Sequence, residues 1–228
     1  DYLKRGTNGQ IYSIHAPGLA ALLLPAYAIA GYFGAVMFMC VIGALTAAVV
    51  FAAAKAVSGG EAALLTWAAV CLTIPFVPHS WLLFPEMAAA LLVAWAMLWL
   101  VRRDPAPDAL WFTRGAALSM LPWLHTKFVV LLALFGGAVA FQMVRLKPDT
   151  TSEVRLKPDT TTWHRTLAAF LIPIAISVAL WLSFFYMTYG AFDPQVPYGA
   201  FARQFVRNRN IVHGLVGFFF DRTFGLLV

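Results

Sequence analysis

The sequence predicts an all-α fold, a polytopic transmembrane helix bundle with an outer-side re-entrant or interfacial helix. Hydrophobic residues make up 61% of the 228 residues, only 11% are charged, and the mean hydropathy is +0.78. A soluble domain carries about twice that share of charged residues. The apolar runs are long and continuous, whereas the strands of an outer-membrane barrel would alternate apolar and polar residues.

The amino-terminal part of the chain predicts a polar loop followed by two apolar runs. Residues 1–15 are polar and contain turn formers, so we expect an extramembrane loop with a turn. The run Pro17–Ala30 is short, since a crossing helix needs about 20 residues. We expect either an interfacial or re-entrant helix there, or a span that continues past Gly31. The next run, Tyr32–Val57, is long enough to cross, and Lys55 lies near its end.

Further apolar runs predict the rest of the bundle. The clear ones are Glu61–Val77, Phe84–Val101, Leu110–Leu124, Phe128–Val144 and Thr166–Tyr189. The final run, His213–Val228, contains Asp221 and Arg222, so it predicts a re-entrant helix or the start of a truncated span. The chain begins at Asp1 without a methionine and ends at Val228 within an apolar run. We therefore expect a fragment of a longer protein, truncated at both ends.

The loop between the last two clear spans, residues 145–165, contains a tandem repeat. The octapeptide VRLKPDTT occurs at Val144–Thr151 and again at Val154–Thr161. Two copies are too few for a solenoid, which needs about three or more units. We expect a flexible cytoplasmic loop that tolerates an insertion, within a single transmembrane domain that comprises residues 1–228.

Basic residues predict which side of the membrane each loop faces. Cytoplasmic loops carry an excess of Lys and Arg, which accounts for the net charge of +6 without nucleic acid as a partner. The basic residues that we place on the cytoplasmic side are Lys55, Arg102, Arg103, Arg114, Arg145, Lys147, Arg155, Lys157 and Arg165. The amino-terminal loop, Pro78–Glu86, His125–Lys127 and Gly190–His213 then face the outer side of the cytoplasmic (inner) membrane. Asp221 is also predicted to lie on that side.

The stretch Pro78–Met87, which reads PHSWLLFPEM, contains the leading candidate for a catalytic residue. A carboxylate at the edge of a membrane helix costs free energy unless it is paired or hydrated, so Glu86 predicts a functional site. Pro85 and an acid in the first turn also suit an ordinary helix start, and that interpretation stays open. His79 has a weaker claim and is not among the predicted site residues.

Other outer residues predict a site that binds phosphate. Arg203 and Arg207 are four residues apart and share a face if their segment is helical, where they would bind an anionic headgroup through bidentate contacts. The alternative is an ordinary solvated face. His15 could equally be a histidine in a turn, and His125 could be an end residue of a span.

Two more candidates also have ordinary interpretations. Lys127 sits at a span end, where a lysine commonly extends its amine to the interface. Asp221 could pair with Arg222 next to it, which would satisfy an otherwise costly charge within the membrane. We retain both residues as candidates for substrate binding.

These residue types suit a transfer reaction on a lipid-linked phosphate. The arginines, Lys127 and His15 would bind the phosphate leaving group. Glu86 would either deprotonate the acceptor hydroxyl or hold a divalent cation, Mg²⁺ or Mn²⁺. The sequence contains no zinc-site spacing, Walker loop or dinucleotide fingerprint, so we predict no dedicated set of metal ligands.

Four segments resemble GT-C type membrane glycosyltransferases, the group related to protein O-mannosyltransferases and lipid A aminoarabinose transferases. They are YSIHAPGLAALLL at Tyr12–Leu24, FPEMAAALL at Phe84–Leu92, LPWLHTKF at Leu121–Phe128 and GLVGFFFDRTFGLL at Gly214–Leu227. The order and spacing of these segments carry more of the resemblance than any one of them.

The resemblance implies a polyprenyl-phosphate sugar as donor, an acceptor met on the outer side, and inversion at the sugar carbon. It implies that Glu86 occupies the family's second acidic position, which helps to place the acceptor or a metal. His15 matches a polar position before the Pro-Gly pair. The family's catalytic acid normally precedes the segment that matches Tyr12 onward, so we expect that acid to be absent from this chain.

A transporter or flippase for an anionic lipid or solute is the alternative function. It too would need outer arginines and an acid at the membrane edge. It would predict inverted repeats and interrupted helices in matching halves, and the sequence has no such internal symmetry. A structural subunit without a site is a third interpretation.

Overall fold

The computed structural model describes residues 3–102, 106–145 and 162–199, and most of them are helical. The helices are α1 Gly18–Ser58, α2 Gly60–Cys71, α3 Phe76–His79, α4 Pro85–Arg102, α5 Asp108–Leu118, α6 Leu121–Leu124, α7 Val129–Arg145 and α8 Thr162–Tyr189. Two three-residue strands, β1 Leu3–Arg5 and β2 Ile11–Ser13, precede α1, and single 3-10 turns lie at Thr126–Phe128 and Val196–Tyr198. The predicted helical class is therefore confirmed for the described residues.

Among the described residues, four helical segments are long and apolar enough to cross a membrane. They are Gly18–Ser58, Pro85–Arg102, Thr126–Arg145 and His164–Tyr189. Large apolar side chains lie on their outer surfaces, among them Ile29 at 87% and Met187 at 78% exposure. An apolar exterior of this kind suits contact with lipid, so the coarse prediction of a multi-pass membrane protein agrees with the described helices.

Two predicted spans correspond to shorter helices. Helix α2 has 12 residues and rises about 18 Å, less than the roughly 30 Å of a bilayer core. It ends at Cys71, well before the predicted Val77, because Pro75 has no N–H to donate to the Cys71 carbonyl and cannot continue the helical hydrogen-bond ladder. The predicted span Leu110–Leu124 is divided into α5 and α6 for a similar reason, since Pro122 lies in the first turn of α6.

Helix α1 contains a sharp bend at Ala30 and Gly31. Gly31 has φ +59° and ψ −145°, a conformation that is essentially restricted to glycine. A side-chain carbon built on Gly34 would lie 2.2 Å from the carbonyl oxygen of Ala26. Residues eight apart in a straight helix are separated by about 12 Å, so the chain turns steeply here. The predicted break at Gly31 is present, and the part before it, from Gly18, is too short to cross.

The chain divides into two compact units, His15–Trp181 and the combination of Asp1–Ile14 with Leu182–Val228. In the His15–Trp181 unit the core lies where α1, α4, α6 and α7 meet, and it includes Met39, Met87, Leu121 and Leu132. Helix α1 packs mainly against α4 and also against α2. Close approach at the start of α1 requires a glycine, because a side-chain carbon on Gly18 would lie 2.5 Å from the backbone carbonyl of Trp123.

In the other unit, the strands form an antiparallel hairpin in which Lys4 pairs with Tyr12. The sequence predicts a loop with a turn in this region, and the turn is present, with Gly9 at φ +79°. The Tyr189 hydroxyl donates to the Ser13 carbonyl at 3.0 Å, and Lys4 Nζ donates to the Val196 carbonyl at 2.7 Å. These bonds join the hairpin to the described residues after Leu182.

Replacing Gly115 with alanine is expected to destabilise the protein by about 1–3 kcal/mol, because the added carbon overpacks the interface between α5 and α8. That carbon would lie 2.1 Å from the Phe170 carbonyl oxygen, which is backbone and cannot rotate away. Gly137→Ala is the matched control, since no atom beyond the adjoining backbone of α7 lies within 4 Å of the added carbon and α7 gains up to about 1 kcal/mol of helix propensity. Thermal unfolding in detergent measures the stability of both variants. Equal unfolding midpoints for the two would contradict the close packing of α5 on α8.

Candidate functional site

Four of the predicted site residues come together within the His15–Trp181 unit. His15 lies three residues before the start of α1, Glu86 lies in the first turn of α4, and His125 and Lys127 lie between α6 and α7. The residues that follow Glu86 are core residues, since Met87 and Ala88 are 2% and 4% exposed. The hydrophobic core therefore fixes the position of the acid. We call His15, Glu86, His125 and Lys127 the Glu86 cluster.

An ion pair joins the two charged members of the Glu86 cluster. Lys127 Nζ donates to Glu86 Oε1 at 2.6 Å, across 41 residues of sequence. The side chains are 53% and 37% exposed for Lys127 and Glu86 respectively, so solvent screens part of the attraction. Lys127 Nζ also lies 5.1 Å from the centre of the Phe128 ring. This ion pair explains how a charged carboxylate is tolerated at the start of an apolar helix.

The second carboxylate oxygen of Glu86 is unsatisfied. Glu86 Oε2 is out of contact with solvent and has no hydrogen-bond partner among the described residues, and the same is true of Thr126 Oγ1. A buried polar atom left unpaired costs about 1–3 kcal/mol. Unpaired buried groups in native structures often mark a binding or catalytic role. The unpaired oxygen is therefore the feature of Glu86 that the ion pair alone does not explain.

His125 is held in one orientation and one tautomer. The Lys127 backbone N–H donates to His125 Nδ1 at 3.3 Å, so Nδ1 carries no proton and the neutral ring is protonated on Nε2. The His15 ring lies 5.4 Å away between ring centres. Burial lowers the pKa of His125 below its ordinary value of 6.5, and the charge of Lys127 lowers it further. The neutral imidazole is therefore the favoured form.

A cavity of about 320 Å³ adjoins Glu86, and we call it the Glu86 cavity. Apolar side chains of α2, α3 and α4 form most of its wall, together with Glu86 and His79. His79 Nδ1 lies 2.6 Å from the Pro75 carbonyl oxygen, so Nδ1 must donate and Nε2 of the neutral ring is an acceptor. His79 is thus a candidate that the sequence prediction left out. The sequence signal that could have identified His79 is its place in Pro78–Met87, the short segment that also contains Glu86.

The remaining predicted site residues, Arg203, Arg207 and Asp221, lie outside the described residues. Within the described ranges, 3–102, 106–145 and 162–199, no group of three or more His, Cys, Asp or Glu side chains could hold a metal ion. The role of a divalent cation at Glu86 therefore stays a prediction.

Comparisons with protein-family models, with curated proteins and with solved structures find no match to this chain. The resemblance to GT-C type glycosyltransferases stays a prediction drawn from the four segments of sequence.

We expect the folded state to lose stability as the pH is lowered through about 6.5. The pKa of His125 is lower in the fold than in the unfolded chain, so below the ordinary value of 6.5 the unfolded chain binds the proton more readily. The loss stops once the pH falls below the folded-state pKa. Unfolding midpoints measured between pH 8 and pH 5 test this expectation.

The matched variant for that measurement is His125→Asn. The Asn side-chain oxygen can accept the Lys127 backbone N–H in place of Nδ1 but does not titrate. Its unfolding midpoint should depend less on pH than that of the wild type. Identical pH profiles for the two proteins would contradict the role of His125.

Proposed function

We propose that this chain belongs to a multi-pass membrane glycosyltransferase of the GT-C type. It transfers a sugar from a polyprenyl-phosphate donor to an acceptor on the outer side of the cytoplasmic membrane. The observation that carries the proposal is the Glu86 cluster, in which a carboxylate, a lysine and two imidazoles meet at helix ends beside a cavity. The four sequence segments that resemble the family support the same conclusion.

In this proposal Glu86 is the base that activates the acceptor. The acceptor hydroxyl transfers its proton to a carboxylate oxygen, its oxygen bonds to the sugar C1, and the bond from C1 to the phosphate oxygen breaks with the electron pair leaving on the phosphate. Oε2 is closed to solvent in the free protein, so the acceptor reaches a lone pair of this carboxylate only after Glu86 moves away from Lys127. The resemblance implies inversion at C1, which requires attack on the side opposite the leaving group. Coordination of Mg²⁺ or Mn²⁺ remains the alternative role of the same carboxylate.

Lys127 has two possible anionic partners in this reaction. In the free protein it is bonded to Glu86 Oε1, and at 53% exposure its flexible side chain has room to move. The donor phosphate would compete for the ammonium group, because it develops negative charge as the bond to C1 breaks. Donor binding would then release Glu86 from its partner, so that the base becomes available when the donor is present. His15, Arg203 and Arg207 are proposed to complete the phosphate site.

The topology in this proposal follows the basic residues. Arg102 ends α4 and Arg145 ends α7, whereas Glu86 and Lys127 lie at or near the starts of the same two helices. Cationic helix ends of this kind favour the cytoplasmic side. The Glu86 cluster is then on the outer side, with the first part of α1 as an interfacial or re-entrant helix.

The buried polar side chains of the described residues support a transferase rather than a transporter, whereas the break in α1 is a feature that a transporter would share. A transporter would need polar groups near the middle of the membrane, along the path of its substrate. In the described ranges the fully buried polar side chains are Thr46 and Ser119. Their hydroxyls donate to the carbonyls of Ile42 and Ala116 within their own helical segments, so they offer no site to a solute.

The test is sugar transfer by the full-length protein in proteoliposomes that contain polyprenyl-phosphate sugars. We expect Glu86→Gln to lower the turnover number by about 10²–10⁴, the usual contribution of a general base. Arg203→Ala should weaken donor binding. Turnover that is unchanged in both variants would end the site assignment.

The matched control is Glu61→Gln. Glu61 lies in the first turn of α2, as Glu86 does in α4, but its side chain is exposed. Glu61 does not line the Glu86 cavity, and it takes part in no ion pair among the described residues. We expect its turnover number to equal that of the wild type. Chelation by EDTA distinguishes the role of Glu86 as a general base from its role as a metal ligand. Sugar transfer is sensitive to EDTA only if Glu86 coordinates Mg²⁺ or Mn²⁺.

A further inference from the structure

A small cavity lies between the last turns of α4 and the middle of α5. It has a volume of about 170 Å³, and Leu98, Trp99, Arg102 and Arg114 line it. Leu98 and Trp99 lie four and three residues before Arg102, so these three residues share one face of α4. Arg102 ends α4, whereas Glu86 lies in its first turn, so this cavity is at the opposite end of the helix from the Glu86 cluster. We call it the Arg114 cavity.

Two indole rings hold the guanidinium group of Arg114 in place. Arg114 Cζ lies 4.2 Å from the centre of the Trp111 ring and 5.3 Å from the centre of the Trp99 ring. Both distances are within the roughly 6 Å over which an aromatic face attracts a cation. Trp111 is on α5 and Trp99 is on α4, so the two contacts connect the helices. Stacking uses the faces of a guanidinium group, whereas its N–H groups donate from the edges.

The Arg114 cavity concentrates positive charge within the helical bundle. Arg114 is half-buried in the second half of α5, and the exposed Arg102 brings a second guanidinium group to the same wall. A charged side chain among apolar helices is costly and commonly has a function. No described residue that lines the cavity is acidic. An anion between the two guanidinium groups would offset their mutual repulsion, so the cavity is suited to an anionic ligand.

The size and surroundings of the Arg114 cavity indicate which anion fits it. Arginine binds phosphate through two parallel N–H donors and keeps its charge throughout the physiological pH range. Cavities that enclose a whole small molecule measure roughly 300–1,000 Å³, so this smaller one suits a headgroup alone. Trp95, one turn before Trp99 on the same face of α4, is 38% exposed, and α4 is long enough to cross a membrane. A phosphate group in the cavity would therefore adjoin a surface that hydrocarbon chains can cover.

We propose that the Arg114 cavity binds the phosphate group of an anionic phospholipid. Arg102 and Arg114 donate to the phosphate oxygens, Trp99 and Trp111 hold the Arg114 guanidinium group in place, and the acyl chains extend along α4 past Trp95. The proposed topology puts this end of α4 on the cytoplasmic side, where basic cavities between helices bind anionic headgroups. This lipid is a bound component that joins α4 to α5 and takes no part in sugar transfer, so the inference does not depend on the proposed function.

The first test measures the binding of phosphatidylglycerol to the full-length protein in a neutral detergent. Native mass spectrometry counts the lipid molecules that the protein retains at each lipid concentration. Phosphatidylcholine with the same acyl chains is the comparison, because it has the same phosphate group but no net charge. We expect its Kd to be about tenfold higher than that of phosphatidylglycerol. Equal binding of the two lipids would overturn the proposal.

Two arginine variants distinguish this cavity from a general attraction of the protein for anionic lipid. Arg102→Gln removes a guanidinium group at an exposed position, so we expect an intact fold and a Kd for phosphatidylglycerol that rises about tenfold. Arg145→Gln is the matched control, since Arg145 also ends a candidate span and stacks on an aromatic ring, that of Phe141 at 4.4 Å, but does not line the cavity. Its Kd should equal that of the wild type. Equal weakening in both variants would reduce the effect to net charge and would overturn the proposal.

Glycerol 3-phosphate distinguishes a lipid headgroup from a soluble phosphate. It carries a phosphate group without acyl chains, so even a large excess should leave phosphatidylglycerol bound. Displacement at equal concentrations would mean that the cavity takes a soluble phosphate, and the lipid would be ruled out. Arg114→Lys is the last check, because lysine keeps the charge but lacks the planar group that stacks and binds two oxygens. Its unfolding midpoint without lipid verifies the fold, and a Kd equal to that of the wild type would contradict the role of Arg114.

Discussion

The ion pair between Glu86 and Lys127 is the interaction on which the candidate site depends. An isolated carboxylate in the first turn of an apolar helix would be expensive, and the ammonium group 2.6 Å away compensates for it. The pair also connects the start of α4 to the turn before α7, which the chain reaches only after α5 and α6. Because the backbone N–H of the same lysine bonds His125, one short segment determines the positions of three of the four members of the cluster.

Much of the helix content could be predicted from hydropathy, but helix length could not. Long uninterrupted runs, such as those of α4, α7 and α8, appear in the structure close to their predicted bounds. The errors are at the breaks just before Pro75 and Pro122, where the apolar character continues although the helix is interrupted. A hydropathy window averages over a proline, whereas the backbone loses a hydrogen bond and meets the ring at that one position. The hairpin at residues 3–13 was predicted only as a turn, since strands of three residues leave almost no periodic signal.

The candidate site was only partly accessible from the sequence. Sidedness alone grouped His15, Glu86, His125 and Lys127, because helix ends that face the same side of a membrane have few places to lie. It could not indicate that Lys127 bonds Glu86, since the two residues are 41 positions apart. Sidedness placed His79 on the same side, but its claim was weaker because its place in a cavity wall depends on how α2 packs on α4.

The bend at Gly31 determines how the first helix can be accommodated in a bilayer. A straight helix of 41 residues would be about 61 Å long, roughly twice the thickness of the hydrocarbon layer. Such hydrophobic mismatch would have to be relieved by extreme tilt or by deformation of the lipid. Because of the bend, the segment from Tyr32 to Ser58 is the only part of α1 whose length must match the thickness of the hydrocarbon layer. A side chain at position 31 would resist this conformation, so the fit between α1 and its bilayer depends on one residue that lacks a β-carbon.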